Sequence, residues 1–264
     1  MIRFNEKEHK YTKKSGREYI SVTTFIATFK QKVNWDQMAG FCAGKISSTG
    51  NDYRKMNKKE ILIAWKINTK NALRKGSKYH DKKEMEILYK NQTLKKHIHI
   101  KGKGKRTNKL FQGYQDHIDL KELEAGITYP ELRLYLDKHK IAGHADLVRV
   151  LPNGYVDVED YKTNAKPLSK KGFNGKKLKA PLDFLDDCDY IHYSLQLNIY
   201  GYILEQWGYK VRYLKIRHMR FPEGTKIDKK YLKEGTEQEL RKLNVVSVKY
   251  RPDIIKLMFD AKDK

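Results

Sequence analysis

Two periodicities divide the chain into segments. Apolar and polar residues alternate through residues 4–26, and this alternation predicts a strand hairpin that leads into the next element. Residues 57–90 carry apolar side chains at spacings of three and four, which predicts helix. We place a break in that helix at Gly76, because the hydroxyl of Ser77 can cap a second helix.

Residues 127–163 predict three successive strands, and residues 166–179 form a lysine- and glycine-rich segment that we expect to be a mobile loop. We predict the remaining elements as an amphipathic helix in 189–208, a strand in 209–221 and closing helices near 228–243 and 251–262. The simplest arrangement is one α+β core with a helical N-terminal lobe. We divide it into an N-terminal hairpin and helical lobe (1–56), a core (57–220) and a C-terminal helical extension (221–264).

The strand YVDVEDYK, residues 155–162, continues an apolar face with charged residues. A period of two puts Asp160 and Lys162 on the face of two valines, while Asp157 and Glu159 point to the other side. On a half-solvated strand the charges are expected on the polar face. Asp160 and Lys162 are therefore candidates for chemistry, and the ordinary alternative is a surface ion pair.

The turn before this strand decides whether Asp146 meets Asp160. A two-residue loop at 153–154 would turn Asp146 away from Asp160. A three-residue loop at 152–154, a type I turn with Gly154 left-handed, would place the two carboxylates opposite each other, with Cβ atoms ~5 Å apart. Proline first and glycine last favour the longer loop. Two carboxylates that close repel unless a cation or proton lies between them, so we predict a divalent-metal site.

Composition adds a polyanionic partner to this picture. The 264 residues include 56 Lys and Arg against 32 Asp and Glu, a formal charge of +24, which favours nucleic acid. Lysine enrichment from an AT-rich genome could account for part of the excess. The sequence shows no apolar run near ~20 residues and no signal peptide, so we expect a cytoplasmic protein that is neither secreted nor membrane-bound. Two isolated cysteines, Cys42 and Cys188, cannot hold an iron–sulfur cluster.

Five motifs, in order, resemble the RecB-like exonuclease branch of the PD-(D/E)XK nuclease superfamily, and together they cover about residues 60–205. They are WKINTKNALRKGSKYHDKKE, like the Gly-x-x-x-His helix of that branch; PELRLYL, like its glutamate strand; AGHAD, like its Gly-x-x-Asp; VEDYKT, like its Asp-x-Lys-Thr; and QLNIY, like its Gln-x-x-x-Tyr helix. The lack of four cysteines makes the chain similar to the compact, cluster-free members found in phages and mitochondria.

The resemblance implies a restriction-endonuclease-like core, with a small mixed sheet flanked by helices. It also implies Mg²⁺- or Mn²⁺-dependent hydrolysis of DNA, single-stranded or at duplex ends, by an exonuclease of recombination, repair or genome processing. No helicase motif is present, so a helicase or recombination partner would be a separate polypeptide. A non-catalytic nucleic-acid-binding or packaging protein and an RNA-directed nuclease remain open alternatives.

The resemblance also implies roles for particular residues. Lys162 would position or activate the attacking water and stabilise the charge that develops on phosphorus. The metal would contact Asp146, Asp160 and the backbone carbonyl of Tyr161. Glu131 would be an additional metal or water contact, and His80 would complete the metal shell or contact the substrate phosphate. Glu131 is the weaker assignment, because a glutamate at the start of a strand is common.

Contacts with the substrate are expected from Gln196, Tyr200, Ser77 and His144. The first two lie one helical turn apart and share a face, although ordinary packing explains Tyr200 equally well. Two lysine-rich segments, 101–109 and 166–179, are candidate clamps for the DNA backbone. His97 and His99 resemble a metal pair, but a solvated basic strand is the simpler interpretation.

Overall fold

The computed structural model describes residues 2–5, 8, 10–46, 51–91, 115, 121–220 and 242–263. The strands in these residues are β1 (Ile2–Asn5), β2 (Lys10–Lys13), β3 (Glu18–Ser21), β4 (Thr128–Leu136), β5 (Ile141–Val150), β6 (Tyr155–Lys162), β7 (Lys210–Arg220) and β8 (Lys242–Val248). The helices are α1 (Val22–Thr28), α2 (Trp35–Cys42), α3 (Lys58–Lys90), α4 (Asp189–Gln206) and α5 (Pro252–Lys262). The predicted hairpin, the three central strands and the following helix and strand are confirmed.

Strand β5 lies at the centre of one mixed sheet. One edge of β5 pairs with antiparallel β4 along its length. The other edge is divided: Ile141 and Ala142 pair with β3 in parallel, and residues 147–150 pair with β6 in antiparallel. Beyond β6 the sheet continues through parallel β7 to antiparallel β8, and β1 and β2 extend it beyond β3. The α+β class with a mixed sheet and flanking helices is therefore confirmed.

Helix α4 packs on the sheet as part of the main core. Its residues 195–201 are buried on all sides, because α1, α5 and strands of the sheet surround it. The prediction that this helix is amphipathic is therefore wrong. A smaller apolar cluster joins α2 to the start of α3 around Ala39, Tyr53 and Ile61. No helix in the described ranges is long and apolar enough to cross a membrane.

Helix α3 is continuous through Gly76 and Ser77, so the predicted break and the Ser77 cap are wrong. The helix begins instead at Asn57, whose side chain accepts a hydrogen bond from the amide of Glu60, while the Glu60 carboxylate accepts one from the amide of Asn57. At Gly76 an added Cβ would lie 3.4 Å from Oγ1 of Thr163. Helix α3 thus passes close to the end of β6 at this residue, at the limit of ordinary van der Waals contact for a Cβ.

The C-terminal region adds a strand to the sheet. We expected helix near 228–243 and an all-helical extension, but residues 242–248 form β8, which pairs with β7. The final helix, α5, is as predicted. Residues 228–241, His97, His99 and the lysine-rich segment 101–109 lie outside the described residues.

The lysine-rich segment 166–179 is mostly exposed but is anchored to the core at its C-terminal end, and its mobility stays a prediction. Leu178 is buried, and the amide of Lys179 donates a 2.7 Å hydrogen bond to the carbonyl of Phe29 at the end of α1. The segment therefore contributes apolar side chains to the core, while its lysines remain at the surface.

Candidate metal centre

The turn between β5 and β6 has the register that brings Asp146 opposite Asp160. Val150 pairs with Val156, and the amide of Leu151 donates a 2.8 Å hydrogen bond to the carbonyl of Tyr155, so three residues form the loop. Gly154 has a φ of +73°, as predicted for the longer loop. Asn153 is also left-handed, with a φ of +68°, so the turn is not the type I turn that we expected.

Three carboxylates lie in a row across neighbouring strands. Glu131 of β4 stands opposite Asp146 of β5, between the pairs Pro130–Leu147 and Leu132–Ala145. Asp160 of β6 follows the last paired position on that strand, Glu159, on the other side of β5. The row therefore depends on two antiparallel registers that coincide at Asp146.

His80 of α3 closes this row from above the sheet. Its Nδ1 lies 3.3 Å from Oε1 of Glu131 and 3.4 Å from Oδ1 of Asp146, and its Nε2 lies 3.1 Å from the carbonyl oxygen of Tyr161. Both ring nitrogens thus face acceptors. Burial alone would lower the pKa of His80, but Asp146 and Glu131 outweigh it and raise that pKa to about 11. The imidazolium here supplies positive charge to the carboxylates.

Backbone groups of Tyr161 also point towards this cluster. Its amide donates a 2.6 Å hydrogen bond to Oδ2 of Asp146, and its carbonyl faces His80. In a strand the N–H and C=O of one residue point to the same side, so one residue orients an acid and offers an oxygen ligand. The backbone contact that the sequence resemblance implied for Tyr161 therefore lies close to Asp146 and His80.

Lys162 is the next charged group along β6. Its Nζ lies 2.5 Å from Oδ2 of Asp160, donates a 3.1 Å hydrogen bond to Oε1 of Gln196, and lies 4.5 Å from the centre of the Tyr193 ring. Burial alone would lower the pKa of Lys162, but Asp160 and Asp146 outweigh it and raise that pKa. Lys162 is therefore a fixed cation at neutral pH.

A chain of hydrogen bonds holds that lysine from α4. Nε2 of Gln196 donates a 3.0 Å hydrogen bond to the hydroxyl of Tyr200, while its Oε1 accepts from Lys162. Gln196 and Tyr200 thus contact each other and form the floor beneath Lys162. Gln196 and Tyr200 are both buried, and neither of them is among the described residues that line the cleft.

The donor set fits a divalent cation. One ligand atom from each of His80, Glu131 and Asp146 lies within 4.8 Å of the others. Asp160 stands outside this group because its carboxylate faces Lys162. Burial and the charge of Asp146 raise the pKa of Asp160, and its buried Oδ1 accepts no hydrogen bond from the described residues. A buried carboxylate oxygen of this kind needs a cation or a donor, so the cluster can hold a divalent metal ion.

A cleft of about 700 Å³ between α3 and the sheet opens onto these groups. Its walls include His80, Glu131 and Lys162, and also the predicted substrate residues Ser77 and His144. The structure thus brings Ser77 and His144 to the same cleft as the cluster, although Ser77 does so from the middle of a helix.

Gln115 is a residue of this site that our sequence reasoning missed. Its Nε2 donates a 2.8 Å hydrogen bond to the carbonyl of Glu131, and its Oε1 accepts a 2.7 Å hydrogen bond from the amide of Arg133. Glu131 has a φ of +47°, a left-handed conformation that is costly for a non-glycine residue. The buried amide of Gln115 therefore supports the backbone of a candidate ligand, and no local sequence pattern marks it.

Asp157 and Glu159, which we predicted to lie on the opposite face of β6, each pair with an arginine of β7. Asp157 accepts hydrogen bonds of 2.8 Å and 2.6 Å from Arg212, and Glu159 accepts one from Arg217. Both carboxylates are buried, so they belong to the packing between β6 and β7.

Comparisons with known proteins add little to this geometry. No protein-family model and no curated protein matches the chain. One solved structure, a protein from Eubacterium rectale described as a "Putative exonuclease", is similar over 98% of this chain and 84% of its own, with a TM-score of 0.36 and 12% identity. The TM-score and the identity are both low, so this similarity says nothing about the function of the chain.

Proposed function

We propose that this chain is a metal-dependent nuclease of the PD-(D/E)XK type that hydrolyses phosphodiester bonds in DNA. One observation carries the proposal: Glu131, Asp146 and Asp160 form a row across three strands, with Lys162 two residues beyond the last acid on the same face. A row of acids can hold a divalent cation, and that cation together with the buried lysine would stabilise the negative charge that phosphate hydrolysis develops on the phosphate oxygens and the leaving group.

The metal centre would be formed by Asp146, Asp160, Glu131, the carbonyl of Tyr161 and His80. Oxygen-rich ligand sets favour Mg²⁺ or Mn²⁺. When bound, the ion polarises a phosphoryl oxygen and lowers the pKa of water. In the absence of metal the imidazolium of His80 forms ion pairs with Glu131 and Asp146. It must therefore give up a proton before it can become a metal ligand.

Lys162 supplies a positive charge beside the proposed metal-binding acids. Asp160 and Asp146 raise its pKa, and the hydrogen bond to Gln196 fixes its direction. A protonated lysine that points towards the scissile phosphate stabilises the charge of the transition state. Its second role is to neutralise Asp160 until the metal is bound.

DNA is the substrate that we propose, with attack from strand ends. The formal charge of +24 favours a polyanion, and the cleft of about 700 Å³ at the cluster has the size of a small-ligand site, which favours a single strand or a melted end at the scissile phosphate.

The test is incubation of the protein with linear single-stranded DNA, linear duplex DNA, closed circular DNA and RNA, in the presence of Mg²⁺ or Mn²⁺. We expect Mn²⁺- or Mg²⁺-dependent loss of linear DNA that EDTA stops. No cleavage of any substrate would overturn the proposal. Cleavage of closed circles would show an endonuclease, and preferential cleavage of RNA would overturn DNA as the substrate.

Lys162→Met tests the role of the positive charge, since methionine removes the charge but preserves most of the side-chain length. We expect cleavage to fall by about 10²-fold or more, with the melting temperature measured in parallel to exclude unfolding. Lys256→Ala is the control, because Lys256 is exposed on α5 and does not line the cleft. An equal loss of cleavage in the two variants would contradict the role proposed for Lys162.

A further inference from the structure

The described residues that line the cleft include far fewer basic side chains than the chain as a whole. Of the 17 described residues that line the cleft, Lys162 is the only lysine or arginine. The chain as a whole carries 56 of these residues. A groove that held the two backbones of a duplex would need basic side chains along its length, so this wall is suited to something other than phosphate.

The part of the α3 wall that precedes His80 is uncharged and partly apolar, whereas Asp81 and Glu84 line the cleft beyond His80. The uncharged part consists of Asn68, Thr69, Ala72, Leu73, Gly76 and Ser77. They recur at spacings of three and four before His80, so they form one face of α3. Leu73 is 67% exposed, which leaves its side chain available to a ligand.

Two rings stand on the sheet side of the same cleft. Phe4 of β1 and His144 of β5 both line it, with ring centres 4.9 Å apart and planes at 89°. The hydroxyl of Tyr11 lies 3.4 Å from Nδ1 of His144, which orients the imidazole. His144 precedes Asp146 by two residues on the same face, which places it about 7 Å along the strand. The rings therefore lie near the metal centre, at a separation that suits a neighbouring nucleotide.

We propose that Phe4, His144 and Leu73 form a subsite for one unpaired nucleobase of the substrate strand. This inference rests on the nuclease function proposed above and specifies its substrate: the strand must be single at the nucleotide next to the scissile phosphate. Aromatic and apolar side chains bind bases of any sequence, because every base has a π-face. The subsite thus selects for single-strandedness and not for sequence.

The test uses fluorescent single-stranded oligonucleotides that carry one abasic site at each successive position from an end. Binding is measured by anisotropy in Ca²⁺. We expect one position at which loss of the base weakens binding of the unaltered protein roughly tenfold. In Leu73→Ala and Phe4→Leu that difference should shrink towards unity, while Ile63→Ala should preserve it. Ile63 is the matched control because it is 58% exposed on the same helix and does not line the cleft.

The outcomes separate this inference from the proposed function. Cleavage of DNA with an abasic profile that is flat, or that Leu73→Ala and Phe4→Leu leave unchanged, overturns the base subsite alone. Absence of both binding and cleavage overturns both. Leu73→Ala keeps the test independent of folding, because an exposed side chain contributes little to the core, and equal melting temperatures would verify this.

Discussion

Tyr200 packs so closely on Gly143 that a Cβ built on the glycine would lie 2.8 Å from Cε1 of the tyrosine ring and 3.0 Å from its hydroxyl oxygen. The same hydroxyl accepts the hydrogen bond from Gln196, which in turn accepts one from Lys162. The glycine of the AGHAD motif therefore makes room for the tyrosine that supports the candidate catalytic lysine. Packing, and not substrate contact, explains this glycine.

Gly143→Ala should destabilise the fold by about 1–3 kcal/mol, because the new methyl group overpacks a buried contact. The proposed nuclease activity should fall by more than the loss of folded protein accounts for, since the displaced tyrosine moves the support of Lys162. Urea unfolding and cleavage assays measure the two effects. Gly40→Ala is the control: nothing lies within 4 Å of its Cβ position in helix α2, so that change should be neutral or slightly stabilising. A neutral Gly143→Ala would contradict the close contact.

Mn²⁺ should raise the melting temperature of the protein, because a ligand that binds only the folded state stabilises it, by about 2.7 kcal/mol at a hundredfold excess over Kd. Asp146→Asn should abolish this rise, since Asp146 lies at the centre of the carboxylate row. Thermal unfolding with and without Mn²⁺, followed by EDTA, measures it. Asp260→Asn, an exposed acid on α5, should keep the full rise. An unchanged rise in Asp146→Asn would place any bound metal elsewhere.

Gln115→Met should cost about 2 kcal/mol of stability, because it removes two hydrogen bonds to buried backbone groups at nearly constant volume. It should also weaken Mn²⁺ binding, since Glu131 depends on that support for its left-handed backbone. Chemical denaturation and metal titration report the two effects separately. A loss of stability with unaltered metal affinity would leave Gln115 a purely structural residue.

Arg212→Ala should lower the free energy of unfolding, because it leaves the buried carboxylate of Asp157 without its forked partner. Arg251→Ala should lower it by clearly less. Arg251 and Asp253 form a similar forked pair, but the carboxylate of Asp253 is 60% exposed and water can replace the arginine. Denaturant unfolding of both variants gives the comparison, and equal costs would contradict burial as the cause.

The pairing of Asp146 with Asp160 was predictable because its determinants are local, whereas Glu131 was assigned only through the motif. A three-residue turn and the period of two along β5 and β6 place Asp146 opposite Asp160, whatever surrounds them. His80 was assigned only through the motif, since nothing near it in sequence shows that α3 passes over β4 and β5. The role of each ligand remains a prediction.

The rest required contacts between distant parts of the chain. Strand β3 pairs with β5, and β8 pairs with β7. The local sequence of a strand does not determine which distant strand it pairs with. Gln115 sits sixteen residues before the backbone carbonyl that it supports. Gly76 misled us because a glycine inside a helical pattern signals either an end or a close approach, and only the position of Thr163 distinguishes them.

The uninterrupted course of α3 has a mechanical consequence. A helix of 33 residues is about 50 Å long, and it carries Trp65, from the small apolar cluster, and His80 on one rod. Because no break separates Trp65 from His80, the packing of α2 against the first half of α3 helps to fix where the imidazole lies over Asp146.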